Sequence, residues 1–345
     1  MTDIEPIDPR TATEDDLPAW CELSAAVDRE CRPGEIERPV GSFRHILIHP
    51  WANHVFARWA ARDGSGRLIG VSETSWMDTA DNPRSVRLAI EVHPDHRRQG
   101  VGTALARPAM EHARANGRDL VTLEAVRDSA GAACAEAHGA TRKMLDRRSV
   151  LDLTEVDVDA LRTWGEPRDG ARETYALVQW RDQCPDELVD DLAELRTAMN
   201  DAPREELEWD DETWTPEMVR TADAVGVARG DQAWATVVRH LPSGRLIALT
   251  DIVGPAGWDA WAFQEDTVVL REHRGHGLGR WVKSANLIAL LGDRPSTRGI
   301  ETWNAGSNQW MLAINDQMGF RPATWWGQYQ VDLDALESRL RVPVK

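Results

Sequence analysis

Ten consecutive residues, Arg271-Glu272-His273-Arg274-Gly275-His276-Gly277-Leu278-Gly279-Arg280, have the make-up of an anion site. The glycines let the backbone take positive φ and approach a ligand closely. Arg271, Arg274 and Arg280 bring positive charge to the same place. The apolar run Thr267-Val268-Val269-Leu270 leads in, and a helical pattern from Trp281 to Leu291 leads out. A helix start adds unpaired N–H groups and the positive end of its dipole, so the chemistry favoured is binding of a phosphate or pyrophosphate. No Lys-Ser/Thr follows the glycines and Val282 breaks G-x-G-x-x-G, so the turn is neither a P-loop nor a dinucleotide fingerprint.

The chain carries this turn twice. Arg97-Arg98-Gln99-Gly100-Val101-Gly102 follows the alternating run Val86 to Val92, and both copies fit R-x-x-G-x-G. Gly277 lies 177 residues after Gly100 (277 − 100), and 118–139 aligns with 298–319 without a gap at an offset of 180 (319 − 139). Two stretches keeping step in this way mark an internal duplication.

Arg-x-x-Gly-x-Gly between a strand and a helix resembles motif A of the GNAT N-acetyltransferase superfamily, whose turn holds the pyrophosphate of acetyl-coenzyme A. Asn308-x-x-Met311-x-x-Ile314-Asn315-x-x-Met318-Gly319-Phe320 is similar to that family's next element. Two such units in one chain resemble actinobacterial tandem GNAT proteins, with mycothiol synthase a distant branch. The resemblance implies an α/β fold, an α+β mixed sheet in each of two consecutive domains. The expected division is 1–155, structural or degenerate; a linker 156–172; and 173–345, catalytic.

Acyl transfer from a thioester needs the amine beside the carbonyl, the amine neutral, and the thiolate stabilised as it leaves. The resemblance implies two splayed parallel strands that receive pantetheine, here 266–270 with 299–303, or 87–92 with 119–126. It places backbone contacts at Val268, Val269 and Leu270, and the phosphates among Arg274, Gly275, His276, Gly277, Leu278, Gly279 and Arg280. In the first unit the equivalents are Glu91, Val92 and His93, then Arg97, Arg98, Gln99, Gly100, Val101, Gly102 and Thr103. Asn304, Asn308 and Asn315 are candidates to hold cofactor carbonyls and hydroxyls, although Asn308 is also placed to cap a helix. Candidate general bases are Glu265 and Asp266 in the second unit and Glu91 in the first, with Glu124 and Glu301 on the partner strands. The family's tyrosine acid is replaced by Asn315 and, in the first unit, by Ala135; Tyr329 and His276 are the substitute donors considered.

Other elements must hold these residues in place. A helix carrying Leu17, Trp20, Leu23 and Val27 is expected after an N-cap at Thr13. Strands 54–60 and 68–76 form a hairpin, the strand at 86–92 leads to a helix over 101–116, and 119–126, 130–138 and 149–153 complete the unit. Charge, Gly165, Pro167 and Gly170 mark a break at 154–171. The second unit repeats the order with strand 175–180, helix 185–199, an acidic stretch 201–217, hairpin 233–239 and 246–253, strand 266–270, helix 278–291, strand 299–303, helix 308–318 and strand 325–332. A short helix is expected in 333–345.

With 345 residues the chain can form two domains of ordinary size. Its formal net charge of −17 argues against nucleic acid and suits a cationic small-molecule amine. No apolar run approaches a membrane span and the acidic start is no signal peptide. A cytoplasmic monomer or homodimer is expected. The four cysteines form no C-x-x-C pair, so buried thiols in a reducing compartment are expected, with no metal site. Of the sixteen tryptophans most are expected in the core.

Overall fold

The computed structural model describes residues 2–32 and 35–341. β1 (Asp3–Pro6) precedes α1 (Asp16–Cys31) and α2 (Val40–Ile48). Thr13 does not cap α1: Asp15 stands at the N-cap without a side-chain bond, and the Asp16 carboxylate accepts the Thr13 N–H at 3.0 Å. β2 (His54–Arg62), β3 (Leu68–Met77) and β4 (Ser85–Val92) form an antiparallel meander. α3 (Val101–Ala115), β5 (Leu120–Val126), α4 (Ala130–Ala137) and β6 (Thr141–Asp152) follow. β6 begins eight residues before the expected strand (149 − 141).

The expected linker is not an open connection, because it holds α5 (Val158–Trp164) and α6 (Ala171–Thr174). Leu161 is buried in a core cluster with Leu287 and Leu290, so this segment packs as part of a unit. β7 (Tyr175–Arg181), α7 (Val189–Thr197), α8 (Pro216–Arg229), β8 (Gln232–His240) and β9 (Leu246–Gly254) come next. α8 has the signals that start and stop a helix: Thr215 accepts the Met218 N–H, Pro216 occupies the first turn, and Gly230 closes it at φ 74°. The acidic run before it hides those signals in the sequence. β10 (Trp261–Val269), α9 (Leu278–Asp293), β11 (Gly299–Ala305), α10 (Gln309–Met318), β12 (Arg321–Asp332) and α11 (Leu333–Leu340) complete the chain.

Two compact units result, and neither is a run of consecutive sequence. The first comprises 1–147, 204–210 and 324–345; the second comprises 148–203 and 211–323. In the first, the strand order is β1-β2-β3-β4-β5-β12, and β12 pairs antiparallel with β5 through Trp326–Asp332. Its core gathers Val86, Met110, Val121, Tyr329 and Leu333. In the second, the order is β6-β11-β10-β9-β8-β7, with β6 represented by 148–152. α9 covers one face of that sheet through Leu287 and Leu290, which meet Trp234 and Ile252; α7 covers the other through Leu192 and Leu195, which meet Val237 and Leu249. The sequence division follows the repeat, whereas contacts give the closing strand 324–332 to the first unit.

Candidate active site

Each unit opens its sheet at one place. β10 pairs in parallel with β11 only from Trp261 to Phe263, against Gly299 to Glu301. Beyond that point the two strands share no pairing, and their facing backbone groups are available to an extended ligand. In the first unit β4 and β5 pair at 85–87 with 120–122 and then part. These are the two strand pairs expected to splay.

The glycine turns lie at the ends of the opened strands. Gly100 caps α3 at φ 83° and Gly277 caps α9 at φ 78°, a conformation a side chain disfavours. The first N–H groups of each helix have no intrahelical acceptor and point at the same spot. Arg274 donates from Nε to the Val269 carbonyl at 2.8 Å, and Arg97 donates from Nε to the Val92 carbonyl at 3.1 Å. Both arginines therefore fasten the turn to the end of its strand. Their outer ends are engaged as well, Arg97 by Glu30 at 2.5 Å and Arg274 by Asp201 at 2.9 Å. Arg271 also pairs with Asp201, at 2.6 Å. Arg280 stands beside Gly277 and over the Trp164 ring at 5.7 Å. The Arg168 N–H donates to the His276 carbonyl at 3.1 Å, and the His276 ring lies 5.6 Å from that of Tyr175.

The opened strand of the second unit is not regular. Gln264 faces Ile252 and Thr267 faces Thr250, so Glu265 and Asp266 together oppose Asp251 in a β-bulge. Arg196, from the end of α7, donates to Asp251 at 2.6 Å and also to Asp266, while its guanidinium lies 5.3 Å from the Trp214 ring. Two carboxylates thus share one guanidinium, and a third, Glu265, lies beside them. Glu265 is exposed, and no other side chain hydrogen-bonds it among the described residues. Loss of solvation there, then the charges of Asp251 and Asp266, push its pKa up to about 8. Asp251, unlike Glu265, is buried, and that burial raises its carboxyl.

The first unit differs. Its Glu91 receives the Ser24 hydroxyl at 2.5 Å, and burial raises its pKa. Glu73 pairs with Arg58 at 2.6 Å and Arg87 at 3.6 Å, and Arg87 reaches Glu124 at 3.2 Å. Asp146, buried near Glu124 and Glu205, is pushed up to about 6 chiefly by desolvation, although Gln328 donates to it at 3.0 Å. Sequence reasoning overlooked Asp146 and Arg196, since neither lies in a motif and each reaches its cluster from a distant element.

Several expected residues sit elsewhere than at an acyl-transfer centre. Tyr329 does not join Glu265 and Asp266: it is 1% exposed in the core of the first unit, on a strand that pairs with β5. Glu301 accepts two bonds from Arg148, from Nε at 2.9 Å and from Nη2, with both side chains buried. A carboxylate tied by two bonds to a buried guanidinium is committed to that pair, which removes it as a base. Asn308 caps α10 by accepting the Met311 N–H at 3.2 Å. Asn315 is fully buried and donates to Asn304 Oδ1 at 2.7 Å, so its amide N–H faces the protein. Val268 is buried, while Val269 and Leu270 are partly exposed where the strand ends. His93 accepts the Asp95 N–H at 3.3 Å and Gln99 donates to the Asp95 carbonyl at 3.1 Å, both shaping the first turn. Arg98 takes φ 60° where the second turn has Gly275 at φ 88°.

Lys283 was not anticipated. It lies inside the second unit at 1% exposure, with Nζ 5.8 Å from the Phe320 ring centroid. Desolvation lowers its pKa to about 7. Among the described residues, no group of His, Cys, Asp and Glu is arranged to hold a metal ion, and no helix is long and apolar enough to cross a membrane. All four cysteines are free thiols; Cys134 is exposed, unlike the expectation that they are buried.

Residues 19–139 match the model of the acetyltransferase (GNAT) family. None of the curated proteins compared matches the chain. A tandem GNAT protein from the clavulanic acid biosynthesis pathway, solved without acetyl-coenzyme A, is 29% identical, with all of both chains covered and a TM-score of 0.79. A GCN5-related N-acetyltransferase from Sphaerobacter thermophilus shares the fold at 14% identity, covering 96% of each chain with a TM-score of 0.67. A glucosamine N-acetyltransferase region of a fungal multi-domain β-N-acetylglucosaminidase does so at 16% identity, over 96% of this chain and 38% of that one, with a TM-score of 0.66. The chain therefore has the tandem GNAT fold, and its residues 19–139 carry the sequence signature of the GNAT acetyltransferase family.

Proposed function

We propose that the protein is an N-acyltransferase that moves an acetyl group from acetyl-coenzyme A to a primary amine of a small cationic molecule, with the chemistry in the second unit. The observation that carries this reading is the acidic bulge at Glu265 and Asp266, set in an opened strand that runs into a glycine turn. Bound acetyl-coenzyme A supplies an acyl group activated as a thioester. Residues 264–269 and 302–305, which do not pair with each other, offer the facing backbone groups to the pantetheine chain, and the start of α9 offers N–H groups to the diphosphate. Glu265 takes the proton that the amine must lose; a carboxylate titrating near 8 is well matched to that task close to neutral pH. The nitrogen–carbon bond then forms as the carbon–sulfur bond breaks, and sulfur leaves as thiolate. A thiol with a pKa near that of cysteine leaves without a dedicated acid, which suits a site with Asn315 in the place of a tyrosine.

The cationic acceptor is supported by the surplus of carboxylates over guanidinium groups at the bulge and by the net charge of −17. A small-molecule acceptor is supported by the 29% identical tandem protein, which belongs to a small-molecule biosynthetic pathway. We place the protein in the cytoplasm as a monomer or homodimer. The test is thiol release from acetyl-coenzyme A against a panel of diamines, aminoglycosides and lysine-bearing peptides. Turnover confined to small amines supports the proposal. Turnover with peptides alone makes it a protein acetyltransferase, and tight acetyl-coenzyme A binding without turnover on any amine makes it a binding protein.

A further inference from the structure

Glu265 and Asp266 are adjacent on one bulge, yet their surroundings differ. Asp266 is tied to Arg196, as is Asp251 on the neighbouring strand, whereas Glu265 has no hydrogen-bonding side chain on it. Arg196 itself is fixed from outside. Trp214 lies over its guanidinium, and the Trp214 N–H donates to Thr197 at 3.0 Å, locking the covering segment to the end of α7. Asn200 completes the lock, donating to the Glu212 carbonyl at 2.8 Å and accepting the Glu212 N–H at 3.1 Å. A guanidinium held this way bridges two carboxylates on two strands and leaves the third outside the bridge.

Building on the function proposed above, we propose that Arg196 is the positioning residue of the site: it clamps Asp251 and Asp266 across the bulge, so that Glu265 alone is left to receive the acceptor's proton. The clamp makes a geometric choice between two adjacent carboxylates. It also keeps the bulge closed, because each of its arms ends on a different strand. The charged groups that face Glu265 are Asp251 on β9, Asp266 on β10, Arg196 on α7, Glu301 on β11 (itself held by Arg148 of β6) and Arg229 at the end of α8, which pairs with Asp231 at 3.8 Å. Removing Arg196 takes away the main favourable charge on the Glu265 carboxylate, so its titration must move up. Removing the Asp266 charge takes away a repulsion, so it must move down.

The experiment compares the parent with Arg196→Met, Arg196→Lys and Asp266→Asn, all as full-length protein. Two readouts are taken: the acidic limb of the kcat/KM profile for amine acetylation, and the carbon-13 titration of the Glu265 carboxyl, assigned by its loss in Glu265→Gln. Arg196→Met should raise both by about one pH unit or more, Asp266→Asn should lower both, and Arg196→Lys should return them toward the parent. KM for acetyl-coenzyme A should stay within about twofold in the two Arg196 variants, since Arg196 lies on neither the glycine turn nor the opened strands. A merely structural arginine would give equal losses at every pH and no shift of opposite sign. If the parent turns over but the limb stays put in folded Arg196→Met, or both variants move the same way, the inference fails. Should Arg196→Met not fold, Asp266→Asn decides alone, and an unmoved limb overturns the inference. A parent without turnover on any amine overturns the proposed function instead, and the carbon-13 shifts then report the clamp's charge alone.

Discussion

In the first unit β4 runs flat from Ser85 to Val92, and Ala89 faces Glu73 on the neighbouring strand. In the second unit β10 takes one more residue over the same course, and Glu265 and Asp266 face Asp251 together. Glu73 and Asp251 hold corresponding places, each next to the residue that pairs two positions before the strand-end valine. Glu73 is answered by Arg58 and also by Arg87, which it shares with Glu124. Asp251 shares Arg196 with a second acid and lies beside a third. One inserted residue thus turns a neutralised ladder position into a site with surplus negative charge. The lesson is that a duplicated frame can keep its turn and its splay in both copies while a single bulge decides which copy has a free base.

The helices behind the two sheets differ in the same sense. Six residues past the capping glycine, α3 carries Ala106 and α9 carries Lys283, both buried (106 − 100 and 283 − 277). The glycine turns also differ in cover: nothing lies within 4 Å of a Cβ built on Gly100, whereas Pro167 and Arg168 come to 3.5 Å of one built on Gly277.

The strongest way to break the comparison is at the turns. Gly277→Asp puts a carboxylate where the diphosphate binds and should weaken acetyl-coenzyme A binding by about 100-fold or more in calorimetry, with acetylation lost in parallel. Gly277→Ala is the control for backbone strain alone, expected near 1–2 kcal/mol. If acetylation survives Gly277→Asp and disappears in Gly100→Asp, the chemistry belongs to the first unit. Next comes the base: Glu265→Gln should lower kcat about 100-fold and flatten the acidic limb, while Glu91→Gln changes kcat by less than about threefold. Equal losses from both would erase the distinction drawn between the clefts.

Stability changes sharpen it further. Lys283→Met should stabilise the second unit by on the order of 3–5 kcal/mol in denaturant titrations at pH 6, and by progressively less as the pH approaches 10.5. The sign follows from a folded pKa near 7 set below the ordinary lysine value of 10.5. The unfolded chain binds a proton throughout that window and the folded one does not, so the cost of the buried lysine is full below 7 and gone above 10.5. No gain at pH 6 would mean that the amine is solvated. Glu301→Gln leaves the Arg148 charge buried and should cost about 3–5 kcal/mol, whereas Glu124→Gln, in a half-exposed pair, should cost under about 1 kcal/mol. Similar costs at both positions would contradict the difference in burial.

Much of this frame was legible from residue spacing. The glycine turns and the helices that follow them lie where R-x-x-G-x-G and the apolar runs put them; the opened strand pairs came from the family resemblance, and β10 begins five residues before the strand expected at 266–270 (266 − 261). Glu265 and Asp266 were visible as acids next to the second turn. The bulge that joins them to Asp251 was not, since a strand's register depends on its partner and not on its own residues. The repeat alignment shows the same limit: a single offset of 180 joins Gly139 to Gly319, yet the N-caps Ser129 and Asn308 lie 179 apart (308 − 129). α2, α8 and β1 were missed because short or acidic segments give little periodicity.

By itself, then, the sequence determined local things: where the chain turns, which helices start at glycine, and that the whole pattern occurs twice. These follow from backbone sterics and from apolar periodicity, which act within a few residues. Only the tertiary structure decided that 324–340 completes the first unit's core, that Tyr329 is packing, that Glu301 is spent on Arg148, and that Arg196 leaves Glu265 free. Each of those depends on charges and side chains brought together from distant parts of the chain. Burial and pairing, which set what a carboxylate can do, exist only once those parts meet.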